Sequence, residues 1–182
     1  MASAPGVCIR PLAVPRIAVL RYFDRTDAFV RGLEERVGPL PDPQHAVRRV
    51  AGAAGSEIIL ACRNPTETLA LCGDDARFEA LERFAEGRDD GCLIEQTRGL
   101  WAASVLGARR VELLARLGSS ELVPAVGRAH TGRLAELAVT TLCVQAGEFI
   151  LLVERVYADH LRGWMRESIA DFAPLTASDA RG

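Results

Sequence analysis

Three pairs of apolar runs, each pair joined by a short turn, constrain the fold of this 182-residue chain more than any other feature. The pairs are EIILAC (57–62) with TLALC (68–72), CLIEQT (92–97) with LWAASVL (100–106), and AVTTLCVQ (138–145) with FILLVE (149–154). Apolar, β-branched runs bounded by turn residues are typical of strands, and short connections produce antiparallel hairpins. We therefore expect a chain built around antiparallel hairpins.

Single helices are predicted between these pairs. A strand over RIAVLRY (16–22) precedes a helix whose apolar positions repeat at helical spacing: Phe29, Val30, Leu33 and Val37. A second helix over 73–87 has Phe78, Leu81 and Ala85 on one face. For the helix over 107–118 the inner stripe is predicted to be Val111, Leu114 and Leu117. For the segment 156–172 it is Tyr157, Leu161, Trp164, Ser168 and Phe172, and a short helical turn is expected at 44–50.

The order of elements predicts an α+β fold, with mixed or antiparallel sheets, helices packed on one face and split β-α-β units. Residues 1–15 form an extended lead-in, residues 16–172 the α+β domain, and residues 173–182 a tail. The domain can divide into lobes at 16–90 and 91–172.

Composition excludes several classes of function. A net charge of −2 produces no positive electrostatic field that would attract nucleic acid or an anionic membrane. The sequence shows no secretory signal and no apolar run long enough to span a membrane. All 22 basic residues are arginine, so a lysine Schiff base and a phosphate-loop lysine are excluded. Five cysteines without C-x-x-C spacing indicate reduced thiols in a cytoplasmic protein, and three scattered histidines give no metal site.

The polar stretch GRAHTGRLAELAV (127–139) is the main candidate for chemistry. His130, Arg133 and Glu136 could act as a general base and anion contacts. The glycines at 127 and 132 favour a loop that enters a strand near Val139. In an extended segment 130 and 136 would share a face and 133 would oppose them.

Other polar pairs have structural interpretations beside the functional ones. Asp74–Asp75 and Asp89–Asp90 are interpreted as helix caps and solvated turns rather than acid–base couples. Cys62 and Cys72 are either a redox pair across their hairpin or two small buried hydrophobes. The residues considered for a partner interface are Trp101, Arg155, Arg162 and Arg166, of which the arginines also fit a solvated face. Trp164 fits either a core position or an interface anchor.

Three segments carry a resemblance to known proteins. GCLIEQTRGLWAASVLGARRVELLARLG (91–118) resembles the unit of two strands followed by G-x-x-A-x-x-L-L in the glycine-cleavage T-protein (aminomethyltransferase) superfamily. FILLVERVYADHLRGWMRESIADF (149–172) and RIAVLRYFDRTDAFVRGLEERVGPLP (16–41) resemble the gamma subunits of heterotetrameric sarcosine oxidases. The resemblance implies one copy of the folate-binding α+β module, without the additional C-terminal domain of the full T-protein.

The resemblance also implies a function. Such a gamma subunit carries no cofactor itself and belongs to a cytoplasmic hetero-oligomer whose other subunits hold FAD, FMN, NAD and tetrahydrofolate. That assembly oxidatively demethylates an N-methyl amino acid and passes the one-carbon unit to folate. The expected partners are the large flavoprotein and folate-binding subunit and the remaining subunits of the complex.

The chain departs from the family pattern at two places. Folate-using T-proteins have an acidic pair before the strand that corresponds to 138–145, whereas this chain has Ala135–Glu136. A misplaced carboxylate damages a positioned base. The segment 119–126 also lacks a Cys-Pro-x-Asp-like sequence. We therefore expect a non-catalytic small subunit of a flavin-dependent amine oxidase or dehydrogenase. The alternatives are a stand-alone tetrahydrofolate-dependent enzyme using Glu136, His130 and Arg133, or an adaptor in another complex.

Overall fold

The structure is a computed structural model that describes residues 2–4, 6–12, 16–41, 47–51, 57–118 and 123–172. Its strands are β1 (Ala2–Ala4), β2 (Val7–Pro11), β3 (Arg16–Tyr22), β4 (Val47–Ala51), β5 (Glu57–Asn64), β6 (Glu67–Cys72), β7 (Gly91–Glu95), β8 (Leu100–Leu106), β9 (Arg128–Leu134), β10 (Leu137–Gln145) and β11 (Glu148–Glu154). Its helices are α1 (Ala28–Val37), α2 (Asp75–Ala85), α3 (Arg110–Leu117) and α4 (Ala158–Ala170), and a 3-10 turn over Arg155–Tyr157 precedes α4.

The strands form two antiparallel sheets. The first sheet has the order β4-β5-β6-β3-β7, and the second sheet has the order β1-β2-β8-β11-β10-β9. Helices α1 and α2 pack on one face of the first sheet, and α3 and α4 pack on one face of the second. The predicted α+β class, with helices on one face of each sheet, is therefore confirmed.

The two remaining sheet faces pack against each other. Their contact, here called the inter-sheet core, consists of Ile17, Val19, Ile59, Ala61, Leu69, Leu71, Ala102, Leu142, Ile150 and Leu152. Strand β3 shows the consequence: Ile17 and Val19 face the inter-sheet core, whereas Ala18 and Leu20 face α1 and α2. Because successive side chains point to opposite faces, a strand buried on both sides must be apolar at consecutive positions.

Two of the three expected hairpins are confirmed, β5–β6 and β10–β11. The pair over 92–106 is not a hairpin, because β7 pairs with β3 in the first sheet while β8 pairs with β2 and β11 in the second. The connection between them therefore carries the chain from one sheet to the other. The sheets also do not divide the chain at residue 90, since β7 belongs to the first sheet and β1–β2 to the second.

Two further segments differ from the sequence predictions. Residues Val47–Ala51 form β4, paired with β5, instead of a helical turn, and residues 44–46 of that prediction lie outside the described residues. The stretch 128–134 is a strand, β9, instead of a loop. It forms a hairpin with β10 through Ala135 and Glu136, whose φ angles are 49° and 64°. Positive φ at both central residues is the geometry of a tight hairpin turn.

The predicted faces of α1 and α2 are confirmed, since Phe29, Leu33, Phe78 and Leu81 are all buried. The predicted stripe of α3 is wrong at Val111, which is 44% exposed. Leu113 takes the buried place beside the expected Leu114 and Leu117.

The stripe of α4 is also displaced from its predicted position. The buried residues are Ala158, Leu161, Met165 and Ile169, whereas Tyr157 and Trp164 are about half exposed. Leu161, Met165 and Ile169 are spaced four residues apart, which fits the helical period as well as the predicted spacing does. Only packing against the sheet distinguishes the two.

The paired aspartates and the cysteines have structural roles. Asp74 caps α2 by accepting a hydrogen bond from the Arg77 N–H at 3.2 Å. Asp90 accepts one from the Phe29 N–H at 2.9 Å and so caps α1 from a distant turn. Cys62 lies opposite Thr68 and Cys72 lies opposite Ile58, at opposite ends of the β5–β6 hairpin. Both side chains are buried and lie too far apart along the hairpin to pair, so the redox interpretation is wrong and the apolar one is confirmed.

Gly107 permits a close backbone contact between the start of the chain and the end of β8. Its φ is +106°, and a Cβ there would lie 2.3 Å from the Gly6 carbonyl oxygen. The Gly6 carbonyl also accepts a hydrogen bond from the Arg109 N–H at 2.9 Å. The contact therefore ties the β1–β2 turn to the start of α3.

We expect Gly107→Ala to lower the free energy of unfolding by about 2 to 4 kcal/mol, because it combines positive-φ strain with a backbone clash. Gly147→Ala is the matched control, since Gly147 has a φ of +94° but no atom within 4 Å of the place that a Cβ would occupy. It carries the φ strain alone and should cost about 1 kcal/mol. Urea unfolding measures both, and equal losses would contradict the role of the Gly6 contact.

Candidate functional site

The predicted polar cluster lies at the β9–β10 hairpin. The Arg133 guanidinium donates to the Glu136 backbone carbonyl at 2.7 Å and to its carboxylate at 3.2 Å. Both side chains are in solvent, with 71% of Arg133 and 89% of Glu136 exposed. The pair therefore closes a surface turn, and water surrounds the carboxylate.

His130 is not brought together with that pair. It lies opposite Thr141 in the β9–β10 ladder, whereas Arg133 lies opposite Ala138. Because 130 and 133 are an odd number of residues apart in one strand, their side chains point to opposite faces of the sheet. The three candidates therefore do not converge on one point where a substrate could bind.

A cleft of 390 Å³ opens where the two sheets separate, and we call it the inter-sheet cleft. Leu69, Leu100 and Leu152 line its apolar part. Its polar groups come from both sheets: Arg63, Gln96, Thr131, Thr140, Glu154 and Arg155. The Thr131 and Thr140 hydroxyls bond to each other across β9 and β10 at 3.0 Å. Sequence analysis did not identify this cleft, because its lining comes from strands distant in the chain.

Arg155 holds the connection that crosses between the sheets. Its guanidinium donates to the carbonyls of Arg98 at 2.9 Å, Thr97 at 3.1 Å and Leu100 at 2.8 Å. Its backbone N–H donates to the Gly99 carbonyl at 2.8 Å. Among the residues expected at a partner interface, Arg155 is thus the one that positions the β7–β8 connection against the end of β11.

The other three candidate interface residues differ in their environments. Arg162 is paired with Asp159 at 2.9 Å, one turn away on α4. Arg166 is exposed on the same helix. Trp101 is half-buried and packs against the core between the second sheet and its helices. None of these three lines the inter-sheet cleft, although Arg155 does.

Three large apolar side chains are exposed close together in sequence, and we call them the α4 apolar surface: Val156, Tyr157 and Trp164. Val156 is 80% exposed and lies at the rim of the inter-sheet cleft. The Trp164 indole N–H donates to His160 Nε2 at 3.1 Å. A single exposed apolar residue is ordinary, but a group of them often marks a contact surface. The sequence analysis placed Val156 at the start of the segment 156–172 but outside its apolar stripe, and so did not identify it as a surface residue.

The titratable groups with shifted pKa values are structural. Burial raises the pKa of the Cys72 and Cys143 thiols, so both stay protonated and are poor nucleophiles. The hydrogen bond from Arg109 lowers the pKa of Glu112, and the one from Arg88 lowers the pKa of Asp90. Across the part of the chain that the structure describes, no group of three His, Cys, Asp or Glu residues is placed to hold a metal.

The described residues contain no helix that is both long and apolar enough to cross a membrane. No protein-family model matches the sequence, and no curated protein matches it either.

Solved structures do match the fold. A chain of heterotetrameric sarcosine oxidase from Corynebacterium sp. U-96, solved in complex with pyrrole 2-carboxylate, is similar with a TM-score of 0.78 and 19% identity. The alignment covers 97% of this chain and 91% of that one. The glycine cleavage system aminomethyltransferase T from Bartonella henselae is similar with a TM-score of 0.67 and 12% identity. That alignment covers 88% of this chain and 45% of the aminomethyltransferase, so the chain spans about half its length. The resemblance expected from the sequence is therefore confirmed at the level of the fold: the chain has the two-sheet α+β fold that these two proteins share.

Proposed function

We propose that the chain is a non-catalytic small subunit of a multi-subunit, flavin-dependent amine oxidase or dehydrogenase similar to sarcosine oxidase. The observation that supports this most is the end-to-end match with one chain of a heterotetrameric sarcosine oxidase. Because the alignment covers nearly all of both chains, the two chains are also similar in length. Two chains with the same fold and similar length can occupy the same position in an assembly.

The geometry of the polar cluster supports a role without chemistry. A general base needs a carboxylate or imidazole held within hydrogen-bonding reach of a bound substrate. Glu136 is instead held by Arg133 at a solvent-exposed turn, and His130 is on the other face of the sheet. The second candidate, a stand-alone tetrahydrofolate-dependent enzyme, would have to use these same three residues.

In this proposal the cofactors belong to partner subunits: FAD, FMN, NAD and tetrahydrofolate. The substrate class is an N-methyl amino acid or a related secondary amine, which the assembly demethylates oxidatively. The chain supports assembly with the large folate-binding subunit, and the complex is cytoplasmic.

The α4 apolar surface is the part of the chain proposed to contact the large subunit. Arg162 and Arg166 of the predicted interface are exposed on the same helix as Trp164. Aromatic and arginine side chains are enriched at protein interfaces. A partner surface with carboxylates beside apolar residues would match this combination.

Co-expression with the proposed large flavoprotein subunit tests this contact. We expect Val156→Asp to reduce the recovered complex by about tenfold, because burial of an unpaired carboxylate costs more than about 1.4 kcal/mol. Val111→Asp is the control, since Val111 is 44% exposed on α3 and lies outside the proposed contact. Equal recovery with both variants would contradict the proposed surface. A wild-type chain that recovers no flavoprotein would contradict the proposed function itself.

Calorimetry with tetrahydrofolate distinguishes the proposed non-catalytic subunit from a stand-alone tetrahydrofolate-dependent enzyme. We expect no heat of binding for the purified chain at millimolar folate, because the residues of the polar cluster do not converge. The same titration with a T-protein serves as the positive control. Binding that is lost in Glu136→Ala would favour the folate-dependent enzyme.

A further inference from the structure

The edge of the first sheet at β7 is different from the other sheet edges. Strand β1 has three residues, β4 (VRRVA) carries two arginines, and β9 (RAHTGRL) carries two arginines and a histidine. Strand β7 (GCLIE) has five residues with a single charge at its end. Short strands and charged side chains protect an edge from pairing with another chain. By that criterion β7 is the least protected of the four edges.

The register of β7 shows which of its backbone groups face outward. The Gln96 N–H donates to the Ile17 carbonyl at 2.7 Å. In an antiparallel ladder every second residue bonds to the partner strand. Ile94 and Cys92, opposite Val19 and Arg21, therefore bond to β3. Glu95, Leu93 and Gly91 turn their N–H and C=O groups away from it.

Those outward groups are open within the part of the chain that the structure describes. No hydrogen bond outside the β3 ladder reaches a backbone group of residues 91–95 there. At one end of the strand, Phe23 is 78% exposed beside Gly91 and Cys92 in a cavity of 460 Å³. An added strand would thus find both a row of backbone partners and an apolar anchor.

The groove between α2 and β7 is acidic, and its charge indicates that a partner would be basic. It is lined by α2 and β7, and its carboxylates are Glu79, Glu82, Glu86 and Glu95. Arg83, the arginine in its lining, lies 3.7 Å from Glu79, and Arg16 pairs with Glu82 and Glu95 at 3.1 and 3.0 Å. The carboxylates therefore outnumber the arginines, so basic side chains of a partner would be attracted.

We propose that the outer edge of β7 binds an extended segment of a different polypeptide by strand addition, with basic side chains of that segment in the acidic groove. A second copy of this chain is the poorer occupant, because β7 paired with itself would bring two acidic α2 helices together. This proposal deepens the proposed function and rests on it for the identity of the partner, a subunit of the same complex. Main-chain hydrogen bonds would supply affinity and the groove would supply specificity.

The test uses the full chain and a synthetic eight-residue peptide of alternating arginine and valine, with amide hydrogen exchange as the readout. In the free chain we expect Leu93 and Glu95 to exchange fast and Cys92 and Ile94 slowly. The peptide should slow Leu93 and Glu95 by at least about tenfold, equivalent to about 1.4 kcal/mol. A glutamate–valine peptide should leave them unchanged. No slowing with saturating arginine–valine peptide would overturn the proposal.

Four variants separate the backbone contribution from the charge contribution. Glu95→Pro removes one outward N–H and should abolish the slowing at Leu93, whereas Glu95→Gln keeps the N–H and should retain most of it. Glu86→Arg should weaken peptide binding, and Glu167→Arg on α4 is the matched reversal outside the groove. Equal effects of the two reversals, or of proline and glutamine, would contradict the proposed contact.

Two further measurements test whether the proposed partner, and not the C-terminal tail, occupies this edge. A chain that ends at Phe172 shows whether residues 173–182 cover the edge: if its Leu93 and Glu95 exchange faster than in the full chain, the tail is the occupant and the proposal fails. In the co-expressed complex, Leu93 and Glu95 should be slow. A complex that forms while both still exchange fast overturns this contact and leaves the proposed function standing. Peptide binding without any complex would support the contact and contradict the proposed function.

Discussion

Face-to-face packing of the two sheets is the constraint on which the rest of the structure depends. The inter-sheet core buries one face of each sheet, and the helices bury the other two. Burial of a polar group inside the strands costs free energy unless the group is hydrogen-bonded. The Thr68 hydroxyl lies 3.0 Å from the Tyr22 hydroxyl, and the Ser104 hydroxyl donates to the Glu148 carboxylate at 2.6 Å. With both faces of each sheet occupied, only edges, ends and helix surfaces are left for function.

Arginine side chains cover the outer aromatic residues of the helical layers. The guanidinium groups of Arg36 and Arg88 lie 4.1 and 4.9 Å from the ring centroid of Phe84 in α2. Those of Arg109 and Arg116 lie 4.1 and 4.5 Å from the ring centroid of Phe172, beyond α4. Planar guanidinium groups stack on rings in a way that lysine cannot match. Because this chain has arginine and no lysine, guanidinium groups can stack on the aromatic rings at the outside of its helical layers.

Local sequence pattern predicts the parts of the fold that depend on neighbouring residues. The strands β5, β6, β10 and β11 and the faces of α1 and α2 follow from apolar runs and from helical spacing. The predictions fail where distant packing decides. β7 and β8 are joined by a short turn yet belong to different sheets, and Trp164 satisfies a helical spacing but packs outside the core. Ala135–Glu136 lacks the Asn-Gly or Asp-Gly signal of a tight hairpin, so the pattern indicates a loop where β9 forms. The cleft and the β7 edge cannot be predicted from the sequence, because both arise from the order of strands in the sheets.

The chain is proposed to support an enzyme through its shape and to contribute no reacting group. The most direct measurement is amine oxidation by the partner assembly, depleted of this chain and then reconstituted with either the wild-type chain or Glu136→Ala. Both chains should restore turnover equally, with the same KM for the amine. Normal binding of Glu136→Ala to the assembly without recovery of turnover would contradict this role.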